Sequence, residues 1–227
     1  MRKYDRMKNM ADCQIDIMNP DEIIGSNALH SALEEMELGY RIFWVIGQID
    51  NKQLDIARAI YQLNLEDDDE GIPVEDRMPI RIMIYSSGGL AHVGKAIVDA
   101  IDISDTPVYT YNMGMAMSAA FYMLISGHKR FAMRSSGAMW HEPSSGFEGA
   151  LFELQRFISH MEDLGAELKE HVLEKTDISE DLLAEKREED WHMNAADQLK
   201  YGVVDKIVSS MDEMFSIPHA AEQAGDA

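Results

Sequence analysis

Two strand–turn–helix units in immediate succession constrain this chain more than any other feature of its sequence. Ile80 to Tyr85 (IRIMIY) reads as a buried strand, Ser86 to Gly89 as a turn and Leu90 to Ile103 as a helix. Val93, Ala96, Ile97, Ala100 and Ile101 recur at the spacing that gathers them on one helical face. A second unit follows at once, with a strand over Val108 to Asn112, a turn around Gly114, a helix from Ser118 to Ser126 and a stop at Gly127. Repetition of this unit predicts an α/β fold with a mostly parallel sheet.

The flanking sequence extends that pattern. Asp21 to Leu38 and Lys52 to Leu65 have helical spacing, Arg41 to Ile46 (RIFWVI) is a strand closed by Gly47, and Phe131 to Met133 and Gly137 to Trp140 are two more. The acidic run from Glu66 to Pro79 combines like charges with Gly and Pro and reads as a solvated loop. After Gly149 a long amphipathic helix to Lys175 carries Leu151, Leu154, Ile158, Met161, Leu168 and Val172, a stripe suited to packing against a second helix. A further helix over Asp181 to Lys200 and a strand over Val203 to Val208 complete the pattern. Residues 1–20 are expected to be flexible, 21–215 to form a single domain and 216–227 a disordered tail.

Bulk properties remove several classes of function. Apolar residues make up 46% of the chain, which is too many for general disorder. A formal charge of −21 argues against nucleic acid and anionic membrane as partners, since both are polyanions. The single cysteine, Cys13, can form neither an intrachain disulfide nor a cysteine-based metal site, so a reducing, cytoplasmic setting is expected. The most apolar stretch, Met113 to Ile125, is too short to span a bilayer as a helix.

Chemistry in such folds gathers at the turns beyond the carboxyl ends of the strands. Ser118 stands at one of these turns, where free backbone N–H groups at a helix start could stabilise an oxyanion. Read alone it is more simply an N-cap serine, since N-cap serines far outnumber nucleophiles. Gly88 and Gly89 occupy the equivalent turn of the preceding unit and let a backbone come close to a ligand. The run from Gly89 to Ala96 nearly matches a phosphate-binding loop, but Ala96 has no hydroxyl for Mg²⁺, so no nucleotide cofactor and no metal are expected. His141 closes a strand ahead of Pro143, and Asp190 lies among Glu185, Glu188 and Glu189 with nothing local to single it out.

Together, GQID at Gly47, IYSSGGL at Ile84, YNMGMAMSAAF around Ser118, MWHEPSSGF around His141 and EEDWHMNAADQLKYGVVDKI resemble, in order, segments of the Clp peptidase family. The similarity runs from about Phe43 to Val208, roughly three-quarters of the chain. It implies a Clp-peptidase and crotonase-like fold, and a serine endopeptidase that cuts unfolded polypeptides fed to it by an ATP-driven AAA+ unfoldase. By the same resemblance Ser118 is the nucleophile, His141 the general base and Asp190 its orienting acid. Backbone N–H groups of Gly89 and Ala119 then form the oxyanion hole, and the chain builds homo-oligomeric heptameric rings stacked as a tetradecamer through the Leu151–Lys175 helix. Ser87 replaces the family's usual proline, Ala119 its usual methionine after the nucleophile, and Arg81 and Met83 its aromatics at the unfoldase-docking cleft. Two other readings stay open: an inactive or accessory ring subunit, and a crotonase-like acyl-CoA enzyme, in which paired N–H donors hold a thioester enolate.

Overall fold

The computed structural model describes residues 26–215 except 145 and 147, so the expectations for residues 1–20 and 216–227 lie outside the described residues. The chain divides between Gly39 and Tyr40 into two units. In the first, helix α1 spans Ser26–Gly39. In the second, strands β1 (Ile42–Ile49), β2 (Ile80–Gly89), β3 (Val108–Met117), β4 (Lys129–Met133) and β7 (Lys206–Val208) form a parallel sheet in the order β1-β2-β3-β4-β7. Strand β5 (Gly137–Trp140) pairs in parallel with the far end of β3, and β6 (Trp191–Asn194) runs antiparallel to β5. The expected α/β fold with a mostly parallel sheet is the observed one.

Burial explains why these segments are strands. Ile80, Ile82, Met83 and Ile84 are all buried, as a near-continuous apolar run must be when both faces of a parallel strand are covered. Helices α2 (Leu54–Asp69), α3 (Ala91–Asp102) and α4 (Ala119–Ile125) pack against this sheet, with every residue of α4 buried. The predicted apolar face of α3 is the buried one, through Val93, Ile97, Ala100 and Ile101. Helix α5 (Leu151–Lys175) buries Leu168 and Val172 near its C-terminal end and leaves Leu151, Phe152 and Ile158 exposed toward its N-terminal end. Among the described residues no helix is long and apolar enough to cross a membrane, and no group of His, Cys, Asp and Glu could hold a metal ion.

Three local expectations are corrected. Strand β3 does not turn at Gly114 but continues to Met117, because its far end gains β5 as a neighbour from Met115 onward. The stretch 181–200 is not one helix but α6 (Glu180–Lys186), β6 and α7 (Ala195–Lys200). Trp191 and Met193 alternate with exposed residues, a period of two that no helix has, and the Asn194 side chain caps α7. The acidic run is also not wholly solvated. Helix α2 continues into it as far as Asp69, and Asp67, 1% exposed, accepts from both terminal nitrogens of Arg41 at 2.7 and 2.5 Å and from Thr106 Oγ1 at 2.8 Å.

Burial pushes the Asp67 carboxyl up, but hydrogen bonds from Arg41 and Thr106 and the charges of Arg41 and Arg77 outweigh it and hold the group below its usual range. A depressed carboxyl contributes stability that is complete above its unfolded-state pKa and is lost as pH falls through its folded-state value. Asp67→Asn is therefore expected to cost about 3 kcal/mol at neutral pH, the scale for breaking a buried pair. In urea titrations its deficit against the unaltered protein should shrink as pH falls below about 4. A deficit independent of pH would contradict this account.

A smaller core lies on the other side of the sheet, built from Met83, Tyr109, Tyr111, Phe131, Val208 and Met214. The Tyr111 and Phe131 rings stack at 4.7 Å, and Tyr111 donates to the Met214 carbonyl at 2.9 Å within the last helix, α8 (Met211–Phe215). Arg81 is 2% exposed here, donates to the Tyr40 and Pro79 carbonyls and lies 5.7 Å from the centre of the Phe215 ring.

Candidate active site

Parallel pairing of β3 with β5 brings two reactive side chains to the same end of the sheet. The last pair, Met117↔Met139, is continued by a hydrogen bond from Ser118 N to the Met139 carbonyl at 3.0 Å. Ser118 then turns the chain into α4 with φ 54° and ψ −124°, a left-handed conformation that costs a non-glycine residue on the order of 1–3 kcal/mol. It stands just outside the helix it was expected to open. The sharp turn aims its hydroxyl away from the strand, while the first helical N–H, that of Ala119, lacks an intrahelical partner.

His141 directly follows β5, and its Nε2 lies 2.8 Å from Ser118 Oγ. Its Nδ1 lies 2.6 Å from the Glu142 carbonyl oxygen, which can only accept, so Nδ1 carries the proton. In the neutral ring Nε2 is then bare and accepts from the Ser118 hydroxyl. That tautomer lets the imidazole take the serine proton.

Asp190 is not joined to His141. Its side chain is exposed, and no hydrogen bond between the two is present. The antiparallel ladder of β5 and β6 ends at Trp140↔Trp191, so Asp190 stands one step beyond that pair, on the strand opposite His141. Arg187, in the same turn, pairs with Glu142 at 3.2 Å. Sequence reasoning missed Glu142, because the group that touches the imidazole is a backbone carbonyl. One signal was available: Pro143 restricts the residue before it to extended conformations.

Gly88 and Gly89 form the facing wall, both at positive φ, 90° and 152°. A Cβ on Gly88 would lie 2.6 Å from the Met117 carbonyl oxygen, 2.7 Å from Ser118 Cβ and 3.1 Å from Ala119 N, and one on Gly89 would lie 2.3 Å from the Ile49 carbonyl oxygen. These positions therefore need glycine for conformation and for space. Between the two walls lies a cleft of about 530 Å³, lined among others by Ser118, His141, Leu90, Tyr122, Met161 and Leu168. Burial pushes the Tyr122 phenol far above its usual pKa, so this wall stays neutral.

A second serine–histidine pair sharpens the comparison. Ser126 Oγ lies 2.8 Å from His171 Nε2, but it donates its own proton to the Tyr122 carbonyl at 2.7 Å and is 2% exposed. His171 must then be the donor in that pair, and burial holds its imidazole below the usual range. It cannot activate Ser126.

A strained serine at a strand-to-helix turn, bonded to a histidine of the accepting tautomer beside a glycine wall, is the arrangement of a serine hydrolase. The family model described as Clp protease matches residues 33–211. The ATP-dependent Clp protease proteolytic subunit 2 of Treponema denticola is 31% identical over 185 residues, covering 81% of this chain and 89% of the relative. Its namesake in Chlamydia trachomatis serovar D is 35% identical over 136 residues, covering 59% and 67%. The chain belongs to the Clp protease family and is a serine peptidase of the Clp type.

Proposed function

We propose that Ser118 is the nucleophile, His141 the general base and Asp190 the acid that steadies it, in a peptidase core that hydrolyses unfolded polypeptides. The observation that carries this is the 2.8 Å contact from Ser118 Oγ to a His141 Nε2 whose tautomer the Glu142 carbonyl sets. Ser118 Oγ attacks the peptide carbonyl as Nε2 takes its proton, and the imidazolium then returns that proton to the leaving amine. The N–H groups of Gly89 and Ala119 hold the oxyanion, a contribution of about 3 kcal/mol per donor where it has been tested by removal. Water repeats the sequence on the acyl-enzyme. A serine-directed fluorophosphonate, followed by peptide mapping, should mark Ser118 alone, and marking of another serine in its place overturns the assignment.

Asp190 is assigned to receive the imidazole Nδ1–H during turnover. It stands opposite His141, one step past the last ladder pair, and has no partner among the described hydrogen bonds, so it can take the Nδ1–H once the Glu142 carbonyl withdraws. Asp190→Asn is expected to lower kcat by roughly 100-fold or more, since the amide favours the wrong tautomer and leaves the imidazolium uncompensated. Glu188→Gln and Glu189→Gln, in the same exposed turn, should change it less than threefold. Loss of less than tenfold in Asp190→Asn would instead make this a Ser118–His141 dyad oriented by the carbonyl.

The enzyme works as heptameric rings, paired as a tetradecamer through α5, with an ATP-driven unfoldase delivering substrate. Supporting the assembly is the exposed apolar side of α5, where Leu151, Phe152 and Ile158 are 74%, 57% and 47% exposed. Ile158→Glu is expected to convert tetradecamer to single rings by light scattering, because a buried unpaired carboxylate is heavily penalised. Unchanged mass would remove α5 from the interface.

A further inference from the structure

Where β3 changes neighbours, two buried amides join the strands. Upstream, β3 pairs with β4 as far as Asn112↔Ala132, and downstream with β5 from Met115↔Gly137. At this fork Asn112 Nδ2 donates to the Gly137 carbonyl at 2.9 Å and to Gln198 Oε1 at 3.0 Å, while Asn112 Oδ1 accepts from Gly114 N at 3.2 Å. Gln198 Nε2 donates to the Ser136 carbonyl at 3.2 Å and to the Met193 carbonyl at 3.3 Å. Both residues are 0% exposed, and each amide nitrogen and oxygen has a partner.

We propose that Asn112 and Gln198 are positioning residues for the reaction, fixing β5 and β6 against β3 and thereby the spacing of Ser118, His141 and Asp190. The inference rests on the catalytic roles proposed above. Those three residues follow β3, follow β5 and precede β6, and the amide pair ties the middle of β3 to the far ends of β5 and β6. Apolar side chains fill such a fork equally well but tolerate sliding. Buried amides do not, since any shift leaves a desolvated donor or acceptor unpaired. The pair thus supplies directional bonds where the regular β3 ladder passes from one partner strand to the next.

The test uses the full chain and a fluorogenic peptide, with Asn112→Ala, Gln198→Ala and the double variant. Thr110→Val serves as the control, since Thr110 is also fully buried on β3 and loses a 2.7 Å bond to the Leu124 carbonyl away from the fork. Each amide variant is expected to lower kcat at least tenfold with KM within twofold, and the double variant to fall no further than the worse single one. Thr110→Val should lower the thermal midpoint comparably yet keep kcat within twofold. Should Gln198→Ala fail to fold, Gln198→Glu keeps the shape and the acceptor for Asn112 but removes both donors, and it should show the same fall in kcat. Folded amide variants with unaltered kcat, or a Thr110→Val loss matching theirs, overturn the proposal. Retained hydrolysis in Ser118→Ala overturns the catalytic roles beneath it, whatever the amide variants do.

Discussion

Replacing Ser118 by alanine is expected to lower peptide hydrolysis by roughly 10,000-fold or more, the scale seen when a nucleophile acting as part of a unit is removed. Some rate above water should remain if the N–H groups of Gly89 and Ala119 bind the developing oxyanion as proposed. The fold should persist, since alanine meets the same positive φ as serine. Ser118→Gly separates chemistry from strain. It is equally inactive on this reading, yet glycine adopts φ 54° freely, so it should be about 1 kcal/mol more stable than the native chain. Peptide turnover and thermal melts on the three proteins decide the matter. Undiminished turnover in either variant eliminates Ser118 as nucleophile.

Gly88→Ala is expected to have the next largest effect. Its Cβ would press on the Met117 carbonyl and on Ser118 Cβ, at a backbone angle of φ 90° that alanine resists. Whichever side gives way, Ser118 and the Ala119 N–H move, and activity should fall about 100-fold or more, comparable to losing one oxyanion donor. Stability should fall by about 1–3 kcal/mol. Gly71→Ala supplies the contrast, because that glycine also has positive φ, 65°, but an added Cβ there meets nothing within 4 Å. It should cost stability alone. Equal kcat in the two alanine variants would show that the glycine wall does not shape the site.

The strand–turn–helix units were legible because burial on both faces leaves an unmistakable apolar run in β2 and a one-sided stripe on α3. What escaped were places where a distant partner overrides a local signal. Met113 and Gly114 look like a turn until β5 arrives beside Met115 to extend the strand. Trp191 to Asn194 sits in charged surroundings that suggest helix, and only its pairing with β5 makes it a strand. Asp67 looks like one carboxylate of a solvated run, although Arg41, far away in sequence, draws it inside. In the site, Ser118 and His141 stood out through their neighbourhoods, and the structure brings them together. The Glu142 carbonyl has no side-chain signature. Asp190 is picked out only by counting back from Tyr201 and Gly202, and its exposed carboxylate carries no local mark of its own.

His141 and α5 are joined by nine residues, 142–150, and the carbonyl that fixes the imidazole is on the first of them. At one end this segment leaves the sheet. At the other it enters the half of α5 whose apolar side chains lie bare on a single subunit. A tether clamped at one end samples many more paths than one clamped at both, and closing it removes that freedom once, for all of its residues. Any second surface that immobilises the bare half of α5 therefore also narrows the positions open to Glu142. With α5 docked as proposed, catalytic order would in that sense be shared property, since the residue whose carbonyl holds the imidazole would lie on a connection between two fixed surfaces.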